Sequence, residues 1–168
     1  YQTLNTGASG YAEYVGRINT LAMRADWRYE EFLGEDLQGS APDSRAERNS
    51  LNLSLGNTAY LFNDSLILSA ALRHRALSDD GRVRSTGIGS GFEQRKIAQS
   101  WTTPTLGLRV WLTDNLAIRA NAGEYVRSPS LDELFGDRGF VRGNPHLNAE
   151  TGENLDIGLE WSRQWSRR

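Results

Sequence analysis

The sequence contains no cysteine and only two histidines, His74 and His146. Disulfide-stabilised scaffolds and thiolate metal sites are therefore excluded, and a metal centre built from histidines is not expected. No segment approaches the roughly 20 consecutive apolar residues that a membrane-spanning helix needs. The 19 basic and 21 acidic residues leave a net charge of −2, which offers no electrostatic attraction to nucleic acid.

Residue patterns that carry catalysis are also missing. No serine lies in a nucleophile-elbow spacing, and adjacent carboxylates such as Asp79 and Asp80 point to opposite faces of a strand. No charged and then apolar leader follows Tyr1, so the sequence predicts no signal peptide. We therefore predict a protein that is not an enzyme and has no cofactor.

The feature that is present is an alternation of apolar and polar residues with a period of two, which predicts β-strands. A seventh, weaker segment covers Tyr11–Val15. The all-β prediction of about six strands rests on the segments Leu21–Tyr29, Leu51–Leu55, Leu66–Leu72, Leu106–Leu112, Leu116–Ala122 and Leu155–Trp161.

The alternation alone is compatible with two architectures. In a soluble β-sandwich the apolar face is the core and the polar face meets water. In an outer-membrane barrel the apolar face meets lipid and the polar face lines a wet lumen. The period of two therefore leaves both alternatives open.

The connections favour the barrel. Tight turns are predicted at Asn63–Asp64 and at 113–115, whereas long polar links cover 34–47, 79–99 and 127–152. Because short and long links alternate, all long loops emerge from one end of the sheet, as in outer-membrane barrels. Aromatic residues near the strand ends suit the interfacial girdles of such barrels. They are Trp27, Tyr29, Phe32, Tyr60, Phe62, Trp111, Tyr125 and Trp161.

Six strands are too few to close a membrane barrel, because the smallest have about eight. An open sheet would leave two unpaired edges and an uncovered apolar face. Either the chain oligomerises or it is part of a larger barrel; we expect residues 1–168 to be an excerpt of a larger antiparallel, up-and-down transmembrane β-barrel.

The most specific pattern lies between residues 127 and 160. It reads R-x-P-S-x-x-E-L from Arg127, then G-N-P-x-L-x-x-E from Gly143, and then an alternating strand. This pattern closely resembles the barrel of TonB-dependent outer-membrane receptors, apart from Ala149, where the family usually has proline. The matching residues are Arg127, Pro129, Ser130, Glu133, Leu134, Gly143, Asn144, Pro145, Leu147, Glu150 and Gly158.

We interpret these motif residues as mainly structural. Pro129 fixes its φ angle and removes a ladder donor where the strand ends. Gly143, Asn144 and Pro145 favour a turn that reverses the loop. Charge pairs among Arg127, Glu133 and Glu150 would connect the base of the loop, each contributing about 0–1 kcal/mol if exposed.

The resemblance implies a 22-stranded barrel closed by an N-terminal plug domain. Such a receptor lies in the outer membrane of a Gram-negative bacterium as a multi-pass protein. It binds a scarce ligand, such as a siderophore, haem, cobalamin, a metal or a glycan, and imports it with energy delivered through TonB. The chain shows neither a plug, a TonB box nor the closing C-terminal strands, so its link to the TonB complex would run through the missing plug.

Polar residues on the lumen side of the strands are the candidates for ligand contact, since arginine suits an anionic ligand or the carboxylates of a plug. Pairing of these side chains with acids on neighbouring strands is the alternative. A porin or adhesin barrel and, less favoured, a soluble β-sandwich binding module are the alternative functions. The candidate ligand-binding residues are Arg24, Arg28, Arg73, Arg109, Arg119 and Asn121.

Overall fold

The computed structural model describes residues 2–34, 44–84, 92–136 and 142–162. Seven strands form one antiparallel sheet in chain order, each paired with the next. The predicted all-β, up-and-down arrangement is confirmed. The elements are β1 Gln2–Val15, β2 Asn19–Gly34, β3 Ser44–Leu61, β4 Leu66–Arg84, β5 Phe92–Thr113, β6 Leu116–Arg127, α1 Leu131–Phe135 and β7 Glu150–Trp161.

Strand β1 is longer than the weak seventh segment of the sequence. It pairs with β2 along its whole length, from Gln2 opposite Leu33 to Val15 opposite Thr20. Most of its side chains are small or polar and all are exposed, so apolar periodicity hardly marks it. Backbone hydrogen bonds to β2 define this strand, because the ladder does not depend on side-chain identity.

The tight turns lie where the sequence predicts them. Phe62, Asn63 and Asp64 have φ angles of 53°, 53° and 65°, a left-handed conformation that Asn and Asp tolerate best after glycine. Between β5 and β6, the Thr113 hydroxyl accepts from the backbone N–H of Asn115 and of Leu116 at 3.3 and 3.1 Å. These turns and the one after Val15 lie at one end of the sheet, which we call the turn end; the long connections lie at the loop end.

The prediction of a long link over 79–99 is wrong. Strand β4 continues to Arg84 and β5 starts at Phe92, with Asp79 paired to Ile97 and Arg84 to Phe92. The sequence did not reveal this part of the two strands, because it lies beyond the exposed leucines of the sheet. There an alternation of apolar and polar residues is not required. The link after β2 is shorter than predicted too, since Gly34 pairs with Ser44. The centres of both links, 35–43 and 85–91, lie outside the described residues.

The strands divide their side chains between two faces. The apolar face is exposed: the side chains of Leu55, Leu72 and Ile157 are 47%, 53% and 74% accessible. The other face, which we call the polar face, carries arginines, carboxylates and small residues. A contiguous exposed apolar surface of this extent marks a protein or membrane contact, and within the described residues no second sheet covers it. The sandwich alternative therefore finds no support.

The aromatic residues do not all follow the predicted girdles. Trp27, Tyr29 and Trp161 lie on the apolar face, as a lipid interface requires. Four others lie on the polar face, because they share its parity in the strand register. These four are Phe32, Tyr60, Trp111 and Tyr125. Their proximity to strand ends was thus a poor guide to the face they occupy.

The buried core lies on the polar face, at its loop end. Leu131, Leu134 and Phe135 of α1 pack there on Phe32 and Ala46, with Ile97 at the margin. Most of the molecule's apolar side chains stay outside this cluster on the open face. The core therefore fixes a loop segment to the sheet and does not hold two layers together.

Candidate ligand-binding surface

All six candidate residues project from the polar face. The register shows this directly: Arg24 pairs with Ser54, which pairs with Arg73 on the next strand. Likewise Arg109 pairs with Arg119, and Asn121 pairs with Asp156. The structure separates the six into a turn-end group, Arg109, Arg119 and Asn121, and a group nearer the loop end, Arg24, Arg28 and Arg73.

The turn-end group is engaged by neighbouring side chains. Arg109 Nη2 donates to Glu160 Oε1 at 2.7 Å, and its guanidinium lies 4.4 Å from the centre of the Trp111 ring. Arg119 Nε lies 3.5 Å from the same carboxylate. Asn121 Nδ2 donates to Asp156 Oδ1 at 2.9 Å. These residues pair with one another, which is the pairing alternative that the sequence left open, although the buried Arg109 Nε has no hydrogen-bond partner among the described residues.

The group nearer the loop end is only partly paired. Arg24 Nε donates to both carboxylate oxygens of Asp26, at 3.0 and 2.8 Å. Arg28 Nη1 lies 3.8 Å from Glu30 Oε1, at the limit of an ion pair. Arg73 has no carboxylate within 4 Å among the described residues, and the same holds for Arg75, two positions further along β4.

These arginines line a cavity of about 410 Å³ on the polar face. We call this cavity the arginine recess. Sequence reasoning missed several of its members, among them Arg75 and Trp101, which pair with each other in the register between β4 and β5. Their parity relative to Arg73 was the signal that could have found them. The recess is lined by Arg24, Asp26, Arg28, Asn52, Ser54, Arg73, Arg75, Trp101, Thr103, Glu124, Tyr125 and Val126.

Residues 128–136, which follow β6, fold back over the polar face; we call this segment the strap. It contains α1, which contacts β3 and β4. Ser130 is the N-cap: its hydroxyl accepts from Glu133 N at 3.2 Å, while Glu133 Oε2 accepts from Ser130 N at 2.7 Å. This capping box satisfies two backbone donors that a helix start otherwise leaves without partners.

The predicted charge pairs at the base of the loop are present. Arg127 Nη2 lies 2.8 Å from Glu133 Oε1, and Nη1 lies 3.2 Å from Glu150 Oε1. The pKa of the Glu133 carboxyl lies below its usual range, first because the Ser130 backbone N–H donates to it and further because of the Ser130 hydroxyl and Arg127; desolvation opposes the shift. Arg127 thus joins the last residue of β6 to the strap and to the first residue of β7.

A buried ion pair holds the strap from beneath, and sequence reasoning missed it. Arg48 donates through Nε and Nη2 to both oxygens of Asp79, at 2.6 and 2.7 Å. The same Nη2 donates to the Pro129 carbonyl at 2.8 Å. The Arg48 and Asp79 side chains are only 6% and 1% exposed. The rigid geometry of the planar guanidinium suits this double role, because it presents several donors in fixed directions.

The second half of the motif forms the turn that the sequence predicts. Gly143 N donates to Gly136 O at 2.6 Å, and Asn144 N donates to Glu133 O at 2.8 Å. The Asn144 side chain accepts from His146 N at 3.0 Å. A Cβ on Gly143 would lie 2.6 Å from the Leu134 carbonyl carbon, so only glycine fits against the strap. Pro145 and Leu147 continue from here toward β7.

Among the described residues, no group of three or more His, Cys, Asp or Glu side chains could hold a metal ion. No helix in this part of the chain has the length and the apolar character needed to cross a bilayer.

The chain is similar to known proteins both in sequence and in fold. The family described as TonB dependent receptor-like, beta-barrel matches residues 1–167. Among solved structures, the chain is similar to a double mutant of the Serratia marcescens hemophore receptor HasR in complex with its hemophore HasA and heme, with a TM-score of 0.59 and 14% identity. The match covers 94% of this chain and 29% of that one. No curated protein sequence matches significantly.

Proposed function

We propose that this chain, which belongs to the TonB-dependent receptor family through its β-barrel, forms a section of the lumen wall of an active-transport receptor. The family consists of receptors and transporters of the Gram-negative outer membrane. In this role the apolar face meets lipid and the polar face lines the lumen. The arginine recess and the strap then lie inside the barrel.

The observation that carries the proposal is the separation of the two faces. Exposed leucines occupy one side of β3, β4 and β5, whereas most of the arginine ion pairs lie on the other side. A lipid-facing barrel wall needs this arrangement. A single-layer sheet in water would aggregate through its uncovered apolar face.

The remainder of the barrel would come from further strands. Seven strands are about a third of a 22-stranded barrel, and the chain spans 29% of the length of the HasR chain. We propose that residues 1–168 are a barrel segment only, and that a plug domain elsewhere in the receptor makes the contact with the TonB complex. A ligand such as a siderophore, haem, cobalamin, a metal chelate or a glycan would pass through the lumen beside the polar face.

Membrane fractionation and growth assays test this proposal. The protein is expected in the outer-membrane fraction and soluble only in detergent. A strain that lacks it is compared with the parent on haem, a ferric siderophore and cobalamin, each supplied alone as the limiting source. We expect growth on one source to require both this protein and TonB.

A strain that lacks TonB but keeps the protein is the matched control. Growth that needs this protein but not TonB would assign a passive, porin-like barrel and contradict energy-coupled import. A protein that is monomeric and folded in plain buffer would contradict the membrane assignment altogether.

A further inference from the structure

The arginine recess carries more positive charge than its own carboxylates neutralise. Its lining includes the four arginines 24, 28, 73 and 75 but only two acids, Asp26 and Glu124. The difference, four minus two, is +2. Asp26 is already bound to Arg24, and Glu124 belongs by parity to the apolar face. The excess therefore concentrates on Arg73 and Arg75.

Arg73 and Arg75 occupy alternate positions of β4 and so project from the same face, with their Cα atoms about 7 Å apart. Neither has a carboxylate within 4 Å among the described residues, and Arg75 Nε is a buried donor without a hydrogen-bond partner. Arg48, close to Arg75, adds a like charge and no acceptor, and its own counter-charge is Asp79. The buried Arg75 Nε donor is costly to leave without an acceptor, and an anion held between the two guanidinium groups would supply one.

The rest of the recess suits a small ligand better than a protein surface. Trp101 lies beside Arg75, Tyr125 forms part of the wall, and Asn52 and Thr103 add polar atoms. The β5–β6 ladder ends at Thr105 opposite Gly123. Beyond that pair, the described residues of β6 form a backbone ladder only with β7, which leaves a gap between β5 and β6 beside the recess. A concave site of about 410 Å³ with several convergent donors is typical of small-molecule binding.

We propose that the arginine recess binds a compact anion that carries two or more carboxylate or phosphate groups, held between Arg73 and Arg75. One oxyanion group lies against each guanidinium, which can donate two parallel hydrogen bonds. The inference rests on the proposed function, since the recess faces a lumen only if the sheet is a barrel wall. It adds the chemical class of the ligand.

Calorimetric titration of the intact receptor in detergent tests the proposal, with pyrophosphate and citrate as probes and acetate as the monovalent comparison. We expect the multivalent anions to bind and acetate to bind at least about tenfold more weakly. Arg73→Gln or Arg75→Gln is expected to weaken pyrophosphate binding about ten- to hundredfold, because each removes charge-assisted hydrogen bonds.

Arg45→Gln is the matched control. Arg45 is also an arginine of a central strand, but it pairs with Glu31 and Glu47 on the opposite face of the sheet, so affinity is expected to stay unchanged. If an arginine variant does not fold, the unmodified receptor still tests the proposal. Its pyrophosphate affinity must fall as salt rises from 50 to 300 mM, since screening weakens exposed charge pairs.

Three results would overturn the inference: no multivalent anion binding at millimolar concentration, equal affinity in Arg73→Gln and Arg45→Gln, or binding of poly-glutamate without any binding of citrate or pyrophosphate. The last result would assign the recess to an acidic protein segment. The proposed function fails separately, through solubility without detergent or growth that does not depend on TonB.

Discussion

Arg48 and Asp79 form the most deeply buried charge pair among the described residues. Removing two charges from water is expensive, and here the cost is offset by a bidentate contact and a third bond to Pro129. The contact joins β3, β4 and the strap at one point. The sequence did not reveal this pair, because Asp79 begins the predicted 79–99 link and Arg48 lies between the predicted 34–47 link and the strand segment Leu51–Leu55.

Asp79→Ala is expected to lower the free energy of unfolding by about 3–5 kcal/mol, since it leaves Arg48 buried without a counter-charge. The double variant Arg48→Met, Asp79→Leu should recover much of this loss. Denaturant unfolding in detergent, followed by tryptophan fluorescence, measures both.

Asp26→Ala is the matched control for this prediction. Asp26 also pairs with an arginine, but Arg24 is 59% exposed, so the expected loss is about 0–1 kcal/mol. Equal losses in the two alanine variants would contradict the role of burial.

Glu133 makes the docking of the strap depend on pH. Its pKa in the folded chain lies below the ordinary value of about 4.3, so the undocked segment takes up a proton first as pH falls. Its stabilising contribution is therefore complete above the ordinary pKa and is lost as pH falls through the lower folded value. Glu133 is 39% exposed, which limits the contribution to about 0–1 kcal/mol.

Glu133→Gln should remove this part of the pH dependence between about pH 5 and pH 3. Stability measured against pH in the two proteins gives the comparison, with Glu150→Gln as the control, because Glu150 is more exposed and takes no part in the capping box. If the pH dependence of stability is the same in Glu133→Gln as in the unmodified protein, protonation of Glu133 is not linked to docking of the strap.

The position of the strap depends on several residues together and not on one residue of the motif. Its apolar residues Leu131, Leu134 and Phe135 pack on the polar face, opposite to where the pattern of apolar strands places hydrophobic contacts. The sequence predicted a structural role and the turn at Gly143, but not the helix. The spacing of Ser130 and Glu133 is that of a capping box and was the available signal.

Gly81→Ala should loosen the strap without unfolding the sheet. A Cβ at Gly81 would lie 2.5 Å from Phe135 Cδ1, and Phe135 is buried and cannot easily move aside. Limited proteolysis is expected to cut within residues 128–136 faster in the variant, while the far-ultraviolet circular dichroism stays that of a β-sheet.

Gly56→Ala, on the polar face of the neighbouring strand β3, is the corresponding control. There the nearest atom to an added Cβ is the Ala71 Cβ at 3.6 Å, an ordinary contact. Equal proteolysis of the two variants would show that the Gly81–Phe135 contact does not hold the strap.

At the scale of the whole molecule, the sheet is a wall with one wet and one apolar side. Strict period-two sequence alone predicted six of the strands and their faces, because leucines at alternate positions leave no other register that keeps them together. The limits of the strands were less predictable. Above the apolar band, as at Asp79–Arg84, backbone pairing continues while the side-chain pattern that signals it stops.

Two substitutions at adjacent positions distinguish the sides of this wall. Leu72→Arg places a charge at the middle of the apolar face and should destabilise the protein by about 2–4 kcal/mol in a bilayer. Ala71→Arg points instead into an open recess on the polar face and should cost much less. Equilibrium unfolding from lipid vesicles measures both, and equal costs would contradict the assignment of the apolar face to lipid.

The contact between Arg48 and Pro129 joins residues 81 positions apart in the chain, whereas each hairpin of the sheet closes locally. Long-range contacts pay their loop-closure entropy only after the segments between them are ordered. We therefore expect the strap to dock late in folding, once β3 and β4 have paired and β5 and β6 have followed. The β3–β4 ladder brings Arg48 and Asp79 opposite each other earlier, but the pair stays accessible to water until the strap covers it.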